Sequence, residues 1–471
     1  MTETPLAPVG PPAGPSDGSE TPAREPELLL LPREGVPDVV VTSSALDGAI
    51  SRMAAGDGPV AVDAERASGY RYSQRAYLVQ LRRRGAGTVL IDPIACPDLS
   101  GLSEALTGVE WVLHAANQDL SCLAEVGLTS SSLFDTELGG RLAGFARVGL
   151  GAMVENVLGI RLEKGHSAAD WSTRPLPRDW LAYAALDVEV LVELRDEIEA
   201  VLTAQGKLGW AREEFEAVRL APPPAPRVDP WRRTTGVQRL RNRRQLAAVR
   251  ALWEQRDDVA QRRDTAPGRV LPDAAIINAV TQAPTSPQEL VSLPVFGGRS
   301  TRRHADLWFG ALARAAALPD AALPLPGATT DGPPAPNRWA ERDPAAAQRL
   351  ARARAAVAAL STEHDVPAEN LVQPDAVRRL AWAPPDPVSG EGVAEALRGC
   401  GVRDWQVGIV AGPLTAALLA PAPDAADAPA ATATSSPAVS PVRRPDPEPG
   451  SPSRTVALLP GASPPFSDRS P

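Results

Sequence analysis

Short apolar runs separated by Gly- and Arg-containing breaks mark residues 36 to about 220 as a compact α/β domain. The runs at 59–63 (PVAVD), 77–81 (YLVQL) and 88–91 (TVLI) predict three sequential strands. A helix near 99–106 follows, and the run 110–114 (EWVLH) predicts a fourth strand that leads into a helix beginning near Asn117. From there to about Gly206 the pattern indicates helices alone.

Two later stretches, 232–318 and 338–419, show helical periodicity without strand alternation and predict two small all-α bundles. In each stretch a long helix closes with a proline-containing turn and another helix follows, as seen at 263–274 and 364–376. This similarity indicates a weak internal repeat.

Composition places the boundaries between these domains. Residues 1–35 are rich in Pro, Gly, Ser and Glu, and 420–471 in Ala, Pro, Ser and Asp, so both are predicted to be disordered tails. The proline-rich segments 221–231 and 319–337 are predicted linkers. The predicted domains are therefore 36–220, 232–318 and 338–419.

Charge and cysteine content restrict the function classes. A net charge of −9 argues against a general nucleic-acid coat protein. The three cysteines are far apart and have no ligand spacing, which argues against a disulfide framework and a zinc site. With no export signal or membrane-span pattern, a soluble cytoplasmic protein without a membrane partner is expected.

Two carboxylates stand at the end of the first predicted strand. Asp63 and Glu65 are two residues apart, so a strand sends both side chains to the same face. Taken alone, this pair is also typical of a solvated strand end. Asp119 lies in the segment 114–120, in a predicted first helical turn where Asn117 is a plausible N-cap and an acid complements the helix dipole.

Asp187 lies on the apolar stripe of a predicted helix. The stripe places it with residues at helical spacing: Trp180, Tyr183, Val190, Leu191 and Leu194. A carboxylate that faces a core is costly unless it is paired or binds a cation, and no Lys or Arg lies one turn away. Asp63, Glu65, Asp119 and Asp187 could together surround two hard divalent cations, Mg²⁺ or Mn²⁺.

Three ordered segments carry a family resemblance: 62–66 (VDAER), 114–120 (HAANQDL) and 183–188 (YAALDV). They resemble the motifs of the DEDD exonuclease superfamily, in the tyrosine-bearing subclass that includes bacterial ribonuclease D, and 170–176 (DWSTRPL) resembles the segment that precedes the third motif. Ala64 stands where the family often has threonine, at a position that is not a ligand. The resemblance implies a ribonuclease H-like mixed sheet flanked by helices, and a 3′→5′ exoribonuclease that releases 5′-monophosphates.

The same resemblance implies a role for each site residue. Asp63, Glu65 and Asp187 would bind the metal that holds the attacking water, and Asp63 and Asp119 would serve the metal at the leaving 3′ oxygen. Tyr183 would orient the water, since a phenol with a pKa of about 10 is a poor base at neutral pH.

Two further regions are predicted to contact RNA. The segment 70–77 interleaves aromatic and basic residues, which suits a single-stranded end, although an ordinary hairpin loop is the alternative. Eleven arginines face four acids between 227 and 263 (11 − 4 = +7), which predicts a phosphate-binding face unless these are simply solvated arginines. The candidate contacts are Tyr70, Arg71, Tyr72, Arg75, Asn117, Arg241, Arg243 and Arg244.

The segment 232–318 also resembles the helicase-and-ribonuclease-D C-terminal (HRDC) domain, and 338–419 is similar to a second, diverged copy. The resemblance implies RNA as partner, with transfer RNA precursors carrying 3′ extensions as substrate and no obligate protein partner.

A DNA 3′→5′ exonuclease on the same core is the alternative, because the four acids act on the phosphodiester alone. A catalytically inactive RNA-binding scaffold is a second alternative, and the presence of all four acids and Tyr183 argues against it. His166 and His304 are predicted to be ordinary histidines.

Overall fold

The computed structural model describes residues 25–163, 165–166, 168–223, 225–327 and 332–421. The α/β part begins with β1 (Glu27–Leu29), β2 (Val39–Val40), α1 (Ser43–Ala55), β3 (Asp57–Arg66), β4 (Ala76–Arg84), β5 (Gly87–Ile91), α2 (Ser100–Ala105) and β6 (Glu110–Leu113). It continues with α3 (Leu120–Glu125), β7 (Ser132–Asp135), α4 (Thr136–Leu142), α5 (Leu150–Met153), β8 (Ile160–Leu162), α6 (Arg178–Glu189), α7 (Leu191–Ala204) and α8 (Leu208–Arg219).

Six of these strands form one mixed sheet in the order β2-β5-β4-β3-β6-β7. Strand β3 lies inside the sheet, antiparallel to β4 and parallel to β6, and its residues 60–62 are fully buried. The four strands predicted from the apolar runs are confirmed as β3, β4, β5 and β6, and the mixed α/β class is confirmed with them.

The prediction that only helices follow Asn117 is wrong. Strands β7 and β8 have four and three residues, too few for alternation to distinguish them from helix. Asn117 is not an N-cap either, because it lies inside a 3-10 turn, Ala116–Gln118, and α3 begins only at Leu120. The apolar stripe from Trp180 to Leu194 was predicted on one helix, but it is divided between two helices, α6 and α7, which meet at Val190.

The first helical bundle contains α9 (Arg243–Arg263), α10 (Pro267–Val270), α11 (Asp273–Gln282), α12 (Pro287–Ser292), α13 (Arg299–Arg302) and α14 (Ala305–Ala316). The second contains α15 (Trp339–Arg342), α16 (Pro344–His364), α17 (Ala368–Leu371), α18 (Pro374–Trp382), α19 (Gly390–Gly399) and α20 (Asp404–Leu419).

The predicted repeat is visible in the order of these helices. Helices α9 and α16 each have 21 residues and close on an aspartate in the left-handed conformation, Asp264 at φ 44° and Asp365 at φ 48°. A helix of four residues and then a longer helix follow in both bundles.

The two bundles differ in their relation to the α/β part. The first has its own core around Trp231, Leu252 and Trp308. The second shares one continuous core with the α/β part, in which Phe215 of α8 belongs to the same buried cluster as Trp339. The described residues up to Ala420 belong to one compact unit.

The predicted N-terminal tail is too long. Strand β1 pairs in parallel with β8, and Arg33 forms an ion pair of 2.6 Å with Glu193, so residues 25–35 are part of the fold. Backbone pairing holds this segment despite its composition. The predicted tails at 1–24 and 422–471 lie outside the described residues. In the part of the chain that the structure covers, no helix is long and apolar enough to cross a membrane.

Candidate active site

Three carboxylates meet where β3 ends beneath α6. Asp63 and Glu65 project from the same face of β3, and Asp187 reaches them from α6, so that one oxygen of each lies within 4.8 Å of the other two. This convergence brings together residues that are more than 120 positions apart in the chain. The set offers only oxygen ligands, which suits a hard divalent cation.

Asp119 faces the same cleft from the residue before α3. Its Oδ1 lies 3.3 Å from the guanidinium Nη2 of Arg66, and Asp119 is only 6% exposed. Arg66 follows Glu65 directly, but no pattern along the chain singles it out, because only the tertiary fold brings Asp119 beside it. The cleft therefore contains a positively charged arginine side chain beside its fourth acid.

Gln80 is a second residue that the sequence did not single out. It lies opposite Asp63 in the β3–β4 register, is fully buried, and donates a hydrogen bond from Nε2 to Asp63 Oδ2 at 3.3 Å. Its position inside the apolar predicted strand 77–81 could have indicated it, since a buried polar residue commonly has a hydrogen-bond partner.

Burial dominates the electrostatics of the four acids. It raises the pKa of Asp63, and together with the charge of Asp63 it raises the pKa of Asp119 to about 8. Burial followed by the neighbouring carboxylates raises the pKa of Glu65 and of Asp187 well above the ordinary range. Burial and mutual repulsion oppose ionisation of all four acids at once. Bound divalent cations would stabilise their ionised forms.

Tyr183 lies one helical turn before Asp187 on α6, as predicted, and its hydroxyl hydrogen-bonds the Asp187 carboxylate. Burial, then the charges of Asp187 and Glu65, raise the pKa of this phenol above its usual value. The hydroxyl therefore keeps its proton. His166, predicted to be an ordinary histidine, lies edge-on to Tyr183 with ring centroids 5.9 Å apart.

The segment 170–176 fixes the start of α6. Arg174 binds both carboxylate oxygens of Asp92 at 2.7 and 2.8 Å and donates to the Tyr77 carbonyl at 2.7 Å. Trp171 is fully buried beside it. These contacts attach the segment to the sheet, and so hold Tyr183 and Asp187 over β3.

The acids open into a cleft of about 630 Å³. His114 at the end of β6 and residues 149–152 around α5 form one side. Arg147 and Arg161 are at its rim, where Arg161 pairs with Glu155 at 2.8 Å. The cleft is therefore lined both by the four acids and by two exposed arginines.

The segment 70–77 packs against the first bundle. The Arg269 guanidinium lies 4.0 Å from the centre of the Tyr70 ring, Tyr72 donates to Asp257 at 3.2 Å, and Arg75 lies 3.9 Å from Asp264. Arg71 donates to Ser172 at 2.8 Å. Tyr70, Tyr72 and Arg75 thus connect the α/β part to the first bundle, whereas Arg71 makes its contact within the α/β part. Contact with RNA stays a prediction for all four.

The remaining predicted RNA contacts are not among the residues that line the catalytic cleft. Asn117 is exposed and borders a separate small cavity. Arg243 donates to the carbonyls of Asp320 and Leu323, and Arg244 donates to the carbonyl of Leu318, so both fasten the segment after α14. Arg241 is exposed.

Comparison with protein families gives three matches. Residues 37–203 match the 3′→5′ exonuclease family, 245–312 match the HRDC domain, and 332–418 match the 3′→5′ exonuclease C-terminal domain. The two bundles thus match different families, which corrects the prediction of two HRDC copies. Their common helix order is the part of that prediction that the structure supports.

Known ribonuclease D proteins align with more than half of this chain. The chain is 34% identical to ribonuclease D of Acidiphilium cryptum over 302 residues, 61% of this chain and 74% of that protein. It is 32% identical to ribonuclease D of Escherichia coli over 276 residues, 57% of this chain and 72% of that protein.

Among solved structures, a protein from Bifidobacterium adolescentis is 38% identical with a TM-score of 0.77, covering 84% of this chain and all of the other. Escherichia coli ribonuclease D, described as an exoribonuclease involved in structured RNA processing, is 28% identical with a TM-score of 0.58, covering 77% of this chain and 97% of the other.

Proposed function

This chain belongs to the ribonuclease D family of 3′→5′ exoribonucleases, and we propose that Asp63, Glu65, Asp119, Asp187 and Tyr183 carry its activity. The observation that carries this proposal is the meeting of Asp63, Glu65 and Asp187 oxygens within 4.8 Å of one another. Asp119 and Tyr183 line the same cleft.

The donor set fits divalent cations, and we propose two, Mg²⁺ or Mn²⁺. Asp63, Glu65 and Asp187 would hold the first, and Asp63 with Asp119 the second. When bound, the pair supplies activation of the attacking water and stabilisation of the leaving 3′ oxygen. The raised pKa values of the acids support this assignment, since bound cations would offset the burial that opposes their ionisation.

Tyr183 has a positioning task in this scheme. Its hydroxyl keeps its proton and is fixed by Asp187, so it can direct the attacking water without removing a proton from it. Hydrolysis then releases the terminal nucleotide as a 5′-monophosphate. The arginines at the rim, Arg147 and Arg161, are placed to contact the phosphates of the entering strand.

The substrate class follows from the domains around the core. We propose structured RNA with a protruding 3′ end, of which transfer RNA precursors in the cytoplasm are the main case. The described similarity to an enzyme of structured RNA processing supports this choice. The first bundle contacts the α/β part through 70–77, beside the first catalytic motif, so an RNA body held there would lie near the cleft.

The test is release of 5′-mononucleotides from an RNA with a 3′ overhang, in Mg²⁺, in Mn²⁺ and with chelator. Wild type is expected to release them stepwise only with metal, and Asp63→Asn is expected to release almost none. Asp47→Asn, an exposed acid on α1, is the matched control and should behave as wild type. RNA binding without release by wild type under every condition would overturn the proposal.

A further inference from the structure

His114 lies next to the acids but has no part in the chemistry described above. Strand β6 pairs in parallel with β3, with Ala61 opposite Val112. Two residues beyond this pair, Asp63 lies on β3 and His114 directly follows the last residue of β6. The alternation of side chains along a strand places the two on the same face. Both line the catalytic cleft.

The hydrogen bonds around His114 select one form of its ring. Nδ1 lies 2.9 Å from Oγ1 of Thr136, and the Thr136 hydroxyl donates to the Leu113 carbonyl at 3.1 Å. A hydroxyl has one proton, so Oγ1 accepts from Nδ1–H. Nε2 is then the unprotonated nitrogen and presents a lone pair. Burial lowers the pKa of His114 to about 4, which keeps the ring neutral at neutral pH.

The backbone around His114 is held as firmly as its ring. The next residue, Ala115, adopts a left-handed conformation at φ 59°, which is costly for a residue with a side chain. The buried Asp135 compensates by accepting the N–H groups of Ala115 and Ala116 at 3.1 and 2.9 Å. A side chain fixed in this way is suited to recognition.

We propose that Nε2 of His114 accepts a hydrogen bond from the 2′-hydroxyl of one of the two 3′-terminal nucleotides, and so favours RNA over DNA. Phosphate oxygens are acceptors and would not approach a lone pair, whereas the 2′-hydroxyl is a donor that DNA lacks. The four acids act on the phosphodiester and do not distinguish the sugars. This inference rests on the proposed exonuclease function and adds the origin of its substrate preference.

Two substitutions separate the functions of the two ring nitrogens. In His114→Asn, the short amide can still donate to Thr136 but places no acceptor at the position of Nε2. In His114→Gln, the longer amide returns an acceptor near that position. The substrates are three RNAs of one sequence: all-ribose, 2′-deoxy at the last nucleotide, and 2′-deoxy at the penultimate nucleotide.

Wild type should trim the all-ribose RNA about 3- to 10-fold faster in kcat/KM than one of the deoxy RNAs, the range of one hydrogen bond. His114→Asn should trim these two RNAs equally, at the rate of the deoxy RNA, and His114→Gln should restore part of the preference. Equal trimming of all three by wild type, or an equal slowing of all three by His114→Asn, would overturn the inference. Absence of release by wild type from any RNA would instead overturn the proposed function beneath it.

Discussion

The guanidinium of Arg66 lies 3.3 Å from the carboxylate of Asp119, inside the cleft where that acid would serve a metal. The arginine thus compensates the charge of the one acid outside the 4.8 Å cluster. A cation that binds Asp119 must compete with Arg66 or displace it.

We therefore expect Arg66→Gln to bind Mn²⁺ more tightly than wild type. Removing a partly exposed ion pair worth about 1 kcal/mol corresponds to a gain of about five-fold in affinity. Calorimetric titration with Mn²⁺ measures it. Arg84→Gln, which removes an exposed arginine paired with Asp57, is the control and should leave Mn²⁺ affinity unchanged. Weaker binding by Arg66→Gln would show that the arginine supports the site.

Asp187→Asn should retain fold and RNA binding while losing nearly all turnover. The amide keeps the size of the carboxylate but removes the charge that a cation needs. The measurements are mononucleotide release, RNA affinity and the unfolding midpoint. Asp196→Asn, an exposed acid on α7, is the matched control. Normal release by Asp187→Asn would contradict the metal assignment.

Tyr183→Phe should lower kcat by about 100-fold or more and change KM little. The ring stays in place while the hydroxyl, which is hydrogen-bonded to Asp187, is lost. Since the raised phenol pKa keeps Tyr183 protonated, the pH profile of kcat should keep its shape in the variant. A changed profile in steady-state assays between pH 6 and 9 would mean that Tyr183 exchanges a proton during turnover.

The Asp92–Arg174 pair should make stability depend on pH. Burial opposes ionisation of Asp92, but hydrogen bonds from Arg174 and from the Ile94 N–H outweigh it and lower the pKa below the ordinary 3.8. A lowered pKa stabilises the fold above that ordinary value, and this contribution is lost as the pH falls through the folded pKa.

Asp92→Asn should therefore lower the free energy of unfolding by about 2 kcal/mol at pH 7, and by less at pH 3. Urea denaturation at the two pH values measures the difference, with Asp47→Asn as control. An equal loss at both values would show that the ionised pair contributes nothing specific.

Asp264 should hold the first bundle against the α/β part. Its carboxylate accepts the Ser73 N–H at 2.8 Å and the Tyr77 hydroxyl at 3.4 Å. Asp264→Gly preserves the left-handed backbone and removes both bonds. Trypsin should then cleave faster at Arg227, an exposed residue in 221–231, while trimming of a short single-stranded RNA is unchanged.

Asp365→Gly makes the same backbone change at the end of α16 and is the control for Asp264→Gly. It should leave cleavage at Arg227 as in wild type. Equal protease rates for wild type and both variants would indicate that other contacts, such as Tyr72 with Asp257, suffice to hold the bundle.

The sequence by itself determined which residues we propose as the catalytic set, and it determined the order of most elements. Asp63 and Glu65 share a face because a strand alternates, and Tyr183 and Asp187 share one because a helix turns every 3.6 residues. Both periods are local properties of the backbone. The same locality explains why the longer strands were predicted, while β7 and β8, which are shorter than a recognisable pattern, were not.

The tertiary structure alone decided which side chains meet across elements. It placed Arg66 beside Asp119, fixed the ring of His114 through Thr136, and brought the segment 70–77 against the first bundle. It also directed Arg243 and Arg244 to backbone carbonyls, where composition had predicted a phosphate-binding face. Such pairings depend on how elements pack in space, and no period along the chain records that packing.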